Sequence, residues 1–239
     1  MTNGTFQGFP EELFFFLETL RDNNNREWFN ANKDSYRKYV VGPVSQFIEA
    51  MSPRLTRITD SYIADPRANG GSMFRIYRDI RFSKDKRPYK THVGCHFRHM
   101  AGKDAHAPGF YVHLEPGKLF FGGGVWKPPG PTLNKIRESI AEHPEEWTRI
   151  SQDKKLLKRF GPVQGDRLKR PPRGQDPDHP CIEDLKLKSF FVIQEEDGDL
   201  ALSPDCIKEI ERAFKAAAPF MRFMTTALEL PFNRVAKTT

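Results

Sequence analysis

A chain of 239 residues that is 38% hydrophobic and carries twenty phenylalanines has enough apolar material to bury a core without disulfide or metal staples. Charged residues make up 29%, with 38 Lys and Arg against 31 Asp and Glu for a net +7, and such charge beside abundant aromatics excludes a disordered chain. No apolar run approaches membrane-spanning length, the three cysteines (Cys95, Cys181, Cys206) are far apart, and the N-terminus lacks a basic leader; the expectation is a reducing, cytoplasmic setting with no membrane partner and no disulfide framework.

Taken in order, residues 9–58 read as helices. Pro10 opens the first near its N1 position, with Glu11 and Glu12 on the positive end of the helix dipole, and Phe9, Leu13, Phe16, Leu17 and Leu20 fall at helical spacing. The run Asn23-Asn24-Asn25 ends that helix and supplies a cap for the next, which carries Trp28, Phe29, Tyr36, Tyr39 and Val40 and is expected to stop at Gly42-Pro43. A third helix from Pro43 places Val44, Phe47, Ile48 and Met51 on one face, with Pro53 perturbing it before Leu55 and Ile58.

The turn signal Asn69-Gly70-Gly71 marks a change of pattern, and from Ser72 the period becomes two. The alternation predicts strands over 73–82, 89–99, 109–115 and 118–126, the last two joined at Pro116-Gly117, as an antiparallel meander. Helices follow over 131–160, with Leu133, Ile136 and Ile140 inward, Pro144 opening a second piece and Gly161-Pro162 closing it. Residues 163–188 form a Pro-, Gly- and charge-rich loop that includes the basic run Arg167 to Arg173, a length that implies function or mobility. Ser189 to Glu196 reads as a fifth strand. The last helix, begun by Ser203-Pro204, repeats Ile207, Ile210, Phe214, Ala217, Met221, Met224 and Leu228 as a core-facing seam. Together these elements predict a single α+β domain over 1–239: an antiparallel sheet of about five strands, in 72–126 and 189–196, flanked by N-terminal helices (9–58) and C-terminal helices (to 230).

Alternation sorts the strands into two faces. Phe74, Ile76, Arg78, Ile80 and Phe82, then Val93, Cys95 and Phe97, then Phe110, Val112 and Leu114, form the expected core face. The other face reads Arg75, Tyr77, Asp79 and Arg81; Lys90, His92, Gly94, His96 and Arg98; Tyr111, His113 and Glu115. A merely solvated face mixes Thr, Ser, Lys and Glu, whereas this one concentrates Arg, His and Tyr, which marks it as the candidate site. Arg78 interrupts an apolar row, so it predicts a buried partner, an acid from a packed helix being favoured over a bound anion. Lys84, Lys86, Arg87 and Lys90, in the loop after the first strand, are placed to reach an anion.

Five histidines (His92, His96, His99, His106, His113) fall within 22 residues. On a strand His92 and His96 lie roughly 13 Å apart, too far to chelate one ion together; a metal held across strands by His92 or His96 with His113 and Glu115 is the minor reading, and acid–base work suits these imidazoles better. The run Gly122-Gly123-Gly124 lacks the Gly-Lys-Ser/Thr ending of a P-loop and precedes Trp126-Lys127-Pro128, so it reads as a bulge or close approach of another element. No nucleophile-elbow motif occurs, and Cys95 points into the apolar set.

The spacing Arg-x-x-Arg-Asp-x-Arg-Phe-x-x-x-Lys-x-Pro-Tyr-Lys-Thr from Arg75 to Thr91 resembles the signature of the domain-of-unknown-function family 2461, as do Asn24 to Phe29 (Asn-Asn-Arg-Glu-Trp-Phe) and Gly109 to Gly117. The resemblance spans about Phe9 to Glu229 and brings no reaction with it, and the cofactor is unknown. The residues themselves favour an enzyme acting on an anionic, phosphate-bearing small molecule or nucleotide. In that reading Arg75, Arg78, Arg81, Lys84, Lys86, Arg87, Lys90, Tyr77 and Tyr111 bind the substrate, while His92, His96 and His113, tuned by Asp79 or Glu115, move protons. The alternative is a nucleic-acid-binding module using the basic 75–90 stretch, with Tyr77, Tyr89 and Tyr111 stacking on bases.

Overall fold

The computed structural model describes residues 6–102 and 107–233. His106, one of the clustered histidines, lies outside the described residues. The N-terminal helices are α1 (Glu11–Asp22), α2 (Arg26–Ala31), α3 (Lys33–Tyr36) and α4 (Gly42–Thr56). Asn25 caps α2 through its side-chain oxygen, which accepts the Trp28 N–H at 2.9 Å. The helix does not stop at Gly42-Pro43. A π turn over Arg37–Val41 precedes it, with the Gly42 N–H donating to the Arg37 carbonyl, and α4 continues through Pro43. Widening the ladder there accommodates a residue with no N–H to give and a ring that would press on the preceding turn.

The sheet is antiparallel and contains four strands in the order β1 (Val93–Arg98), β2 (Gly109–Glu115), β3 (Lys118–Val125) and β4 (Phe190–Asp197). Its register pairs His96 with Tyr111, Tyr111 with Gly122 and Gly122 with Ile193 across all four strands. One face carries Val93, Cys95, Phe97, Phe110, Val112, Leu114, Phe121, Phe190 and Val192, all buried. Against it packs α10 (Cys206–Thr226): Phe214 stacks on Phe110 at 4.6 Å and meets Phe97 edge-on at 5.8 Å. Helix α10 begins two turn residues later than Ser203-Pro204, after the short α9 (Asp199–Leu202). Between β3 and β4 the chain forms α5 (Gly130–Glu142), α6 (Pro144–Ser151), α7 (Lys154–Phe160) and α8 (Ile182–Leu185). The 163–188 loop is tied down by bridges pairing Gln164 with Phe191 and Arg167 with Leu187, and by Trp147 Nε1 donating to Asp184 at 2.7 Å.

Helix α10 is also fastened to α4 by charge. Glu211 accepts from Arg54 at 2.6 Å, Arg57 at 3.1 Å and Lys215 at 2.7 Å. Burial alone would raise its pKa, yet the three cations hold it down to about 2.

The expected strand over 73–82 is absent, and with it the row assigned to the core; the strand expected over Ser189 to Glu196 is present as β4, so the sheet has four strands. Of this segment only the first residues meet β1: the His96 N–H donates to the Ser72 carbonyl and the Phe74 N–H to the Gly94 carbonyl, while the far end of that edge is met by the Ile63 N–H, which donates to the Arg98 carbonyl. The chain then leaves the sheet as a short hairpin, in which the Arg78 N–H donates to Pro88 and the Lys90 N–H to Ile76. Two Asp-x-Arg turns explain why. Asp79 and Asp85 each accept the backbone N–H of the residue two ahead and then bind that residue's guanidinium, Arg81 at 2.7 Å and Arg87 at 2.8 Å. Backbone satisfied locally by a carboxylate is withdrawn from the ladder. Asp65 does the same for Arg67.

Of the expected core row, Ile76 is buried while Phe82 is 95% exposed at the hairpin tip. Arg78 is paired by Asp85 of its own loop at 2.7 Å and by the Arg87 carbonyl at 3.0 Å, not by a helix acid. The hairpin base is anchored by Asn24, whose amide donates to the Tyr89 carbonyl and accepts its N–H, both at 3.0 Å, while Phe29 stacks on the Tyr89 ring at 4.1 Å.

Candidate functional site

On the face of the sheet opposite α10, each cross-strand row places a glycine where a neighbour's ring must lie. Arg98, Gly109, Gly124 and Phe191 form one row; His96, Tyr111, Gly122 and Ile193 the next; Gly94, His113, Phe120 and Glu195 the third. A Cβ at Gly109 would run into the His96 imidazole, and one at Gly94 into the Tyr111 hydroxyl. The glycines thus let both rings lie down on the sheet. At Gly122 and Gly124 a Cβ would meet the β4 backbone, at Val192 O and Phe190 O, so the glycine run serves close approach of a strand, and it leaves the floor between the rings bare.

The result is a cleft of about 470 Å³ over that floor, within the usual range for a small-molecule site. Phe74, Tyr111, Phe120, Trp126, Phe191 and Ile193 supply its apolar walls, and Lys90, His92 and His96 its polar groups. Phe74 stacks on His96 with centroids 5.7 Å apart. Lys90 donates to the Arg75 carbonyl at 2.9 Å, and its ammonium lies 5.4 Å from the Phe74 ring centroid. Burial, then the charge of Arg75, lowers its pKa.

Behind the cleft wall runs a polar chain. His113 Nε2 lies 3.4 Å from Glu115, and its Nδ1 lies 3.2 Å from the Tyr111 hydroxyl. With Glu115 a carboxylate, Nε2 must donate, so Nδ1 accepts from Tyr111. The His113 ring is sandwiched between His92 at 4.5 Å and Phe120 at 4.3 Å. Burial, with repulsion from His113 second, lowers the His92 pKa to about 4; burial, then Arg98, lowers His96 to about 4. Burial also lowers His113, against the pull of Glu115. At neutral pH these imidazoles are uncharged: they can donate and accept hydrogen bonds and take a proton, but they are not cationic clamps.

The structure therefore brings together Lys90, His92, His96 and Tyr111 as lining, with His113 and Glu115 supporting them and Arg75 beside Lys90. It does not bring Tyr77, Arg78, Asp79, Arg81, Lys84, Lys86 or Arg87 into the cleft lining, because residues 77–89 leave the sheet; Arg78 acts on His92 only through its charge. Asp79 is taken by Arg81, whose guanidinium and backbone N–H hold it at a pKa of about 2, so it faces no histidine. Tyr77 packs against Tyr89 at 5.4 Å. Phe74, Phe120, Trp126, Phe191 and Ile193 line the cleft without being among the residues expected there from the sequence. The alternation within 118–126 carried the signal for Phe120 and Trp126, which fall in phase with the two outer glycines; Phe74 was assigned to the wrong face.

A larger hollow of about 900 Å³ between α5, α6 and α10 is lined by side chains of both signs, several already paired, such as Lys135 with Glu229 at 2.5 Å. No group of three or more metal-ligating side chains occurs among the described residues, and no helix there is long and apolar enough to cross a membrane. Comparison with curated proteins finds no match. Two of the three motif stretches meet in space where Asn24 and Phe29 grip Tyr89, and a family model described as conserved hypothetical protein (DUF2461) matches residues 12–223: the chain belongs to that family.

Proposed function

We propose that the cleft binds a small anion with a flat, largely apolar body, of nucleotide-like chemistry, and that His92 and His96 act on it as neutral hydrogen-bonding and proton-accepting groups. The observation that carries this reading is the slot itself: aromatic walls over a side-chain-free glycine floor, with Lys90 and two imidazoles at its polar side. A planar ring fits between such walls, and an ammonium half withdrawn from water attracts an anionic substituent more strongly than an exposed one does. The histidines support an enzyme, since a buried neutral imidazole in contact with a substrate is equipped to accept a proton.

Trp126 lines the cleft and is 53% exposed, so its fluorescence reports occupancy. Titration with mononucleotides and aromatic carboxylates should give saturable quenching with at least one of them. Lys90→Met should weaken the anion while leaving the neutral nucleoside little changed, and Trp126→Phe should remove the signal. If no member of the panel saturates below about 1 mM, where binding is worth only about 4 kcal/mol, the reading fails.

A second reading, nucleic-acid binding, is favoured by one observation: the exposed Phe82 lies beside Arg81, with the guanidinium carbon 5.8 Å from its ring centroid, on a hairpin that also carries Lys84, Lys86 and Arg87. Single-stranded oligonucleotide affinity should then fall steeply with salt, the log–log slope shrinking by about 0.7 per phosphate contact removed in Lys84→Ala and Lys86→Ala. No binding at low salt, or unchanged slopes, excludes it.

A further inference from the structure

Helix α5 is amphipathic, and its inward face carries Ile136 and Ile140, both fully buried. Arg137 lies beside them with only 7% of its surface exposed. A guanidinium stays charged in a protein, and out of water it needs a compensating charge. Here its Nη2 donates to the Leu187 carbonyl at 2.9 Å, while Nε has no acceptor and no acid forms an ion pair with it among the described residues. A carbonyl is a dipole, not a counter-charge.

Arg137 borders a cavity of about 410 Å³ that Lys127, Asp166, Lys188 and Ser189 also line. Lys127 holds a left-handed backbone, φ 44°, unusual for a residue with a long side chain. Its N–H is fixed in that conformation by the buried Ser189 Oγ, which accepts it at 2.9 Å and keeps its own hydroxyl proton to donate. Three cations thus converge on one cavity against a single carboxylate, around a buried arginine that lacks an acid.

We propose that this corner is a phosphate-binding site separate from the cleft. Arg137 and the Ser189 hydroxyl donate to the phosphate oxygens, and Lys127 and Lys188, both exposed, close over it from solvent. A dianion matches the surplus of cations and supplies the counter-charge Arg137 lacks. The rival account makes Asp166 the partner of Arg137, with no ligand.

The test is the melting temperature of the full chain titrated with inorganic phosphate, and separately with methyl phosphate, at ionic strength matched with chloride. At tenfold above Kd the expected rise is about 3–6 °C, and the larger of the two responses tells a free phosphate from a monoester. Arg137→Met should abolish the rise. Should that variant fail to fold, Lys127→Gln and Lys188→Gln carry the test, because both side chains are exposed and each should cut the response. Asp166→Asn should strengthen phosphate binding. The proposal is overturned if neither phosphate raises Tm beyond the chloride control, if the lysine variants respond in full, or if Asp166→Asn lowers Tm without improving the response. His96→Gln, in the cleft, should leave the phosphate response intact, so failure of the cleft reading and failure of this one are distinguishable.

Discussion

His96 shows how one residue couples burial to acid stability. Its imidazole is 9% exposed, rests on Gly109 and stacks on Phe74, and its pKa is lowered from 6.5 to about 4. The unfolded chain takes up the proton first as pH falls. The stabilisation is therefore complete above pH 6.5 and is lost progressively down to about 4, on the order of 3 kcal/mol for a depression of this size. Urea unfolding from pH 7.5 to 4.5 should show stability declining with pH, and His96→Gln should flatten that slope. An unchanged slope in the variant would mean that the ring is open to water in solution.

At the scale of an element, the hairpin over residues 76–90 holds its shape through side chains more than through a ladder. Its tip is built from the Asp79–Arg81 and Asp85–Arg87 turns, and its base hangs on the Asn24 amide, which satisfies both backbone groups of Tyr89. Asn24→Ala leaves an N–H and a carbonyl without partners in a half-buried place, at about 1–3 kcal/mol. Hydrogen exchange should then accelerate across 76–90 while β2 and β3 keep their protection. Uniform acceleration over the whole chain would show that the hairpin is not a separate cooperative unit. Arg78→Ala, by contrast, removes a partly exposed pair and should lower Tm by less than about 4 °C.

For the whole molecule, the packing of α10 onto the sheet predicts how the thiols behave. Cys95 and Cys206 are fully buried, and burial pushes both thiols up to about 12; Cys181 is 5% exposed. A thiol reagent at pH 8 should therefore label Cys95 and Cys206 only at the rate of global unfolding, and denaturant should expose them together. Labelling of Cys95 at the rate of a free thiol would contradict the sheet–helix core, since that residue is fully buried beside Val112 on the closed face of the sheet.

Much of this architecture was determined by the sequence alone. Period-two alternation over 109–115 and 118–126 and the three-and-four spacing from Ile207 to Met224 are local patterns, and β2, β3 and α10 follow them closely. They also fix which face of β1 and β2 is core, and hence that His92, His96 and Tyr111 share the other side. Tertiary structure alone decided the rest. Alternation over 73–82 is as regular as elsewhere, but a strand needs a neighbour along its length; here two aspartates satisfy the backbone first and carry seven expected site residues away from the sheet. Register, a long-range property, lined up the glycines that open the cleft floor and brought Phe191 to its wall, while Phe74 reaches the opposite side through its N–H bond to the Gly94 carbonyl. Whether Arg137 would find an acid could be read from no pattern in α5, because its surroundings come from loops near residues 127, 166 and 188 that meet only when the chain is folded.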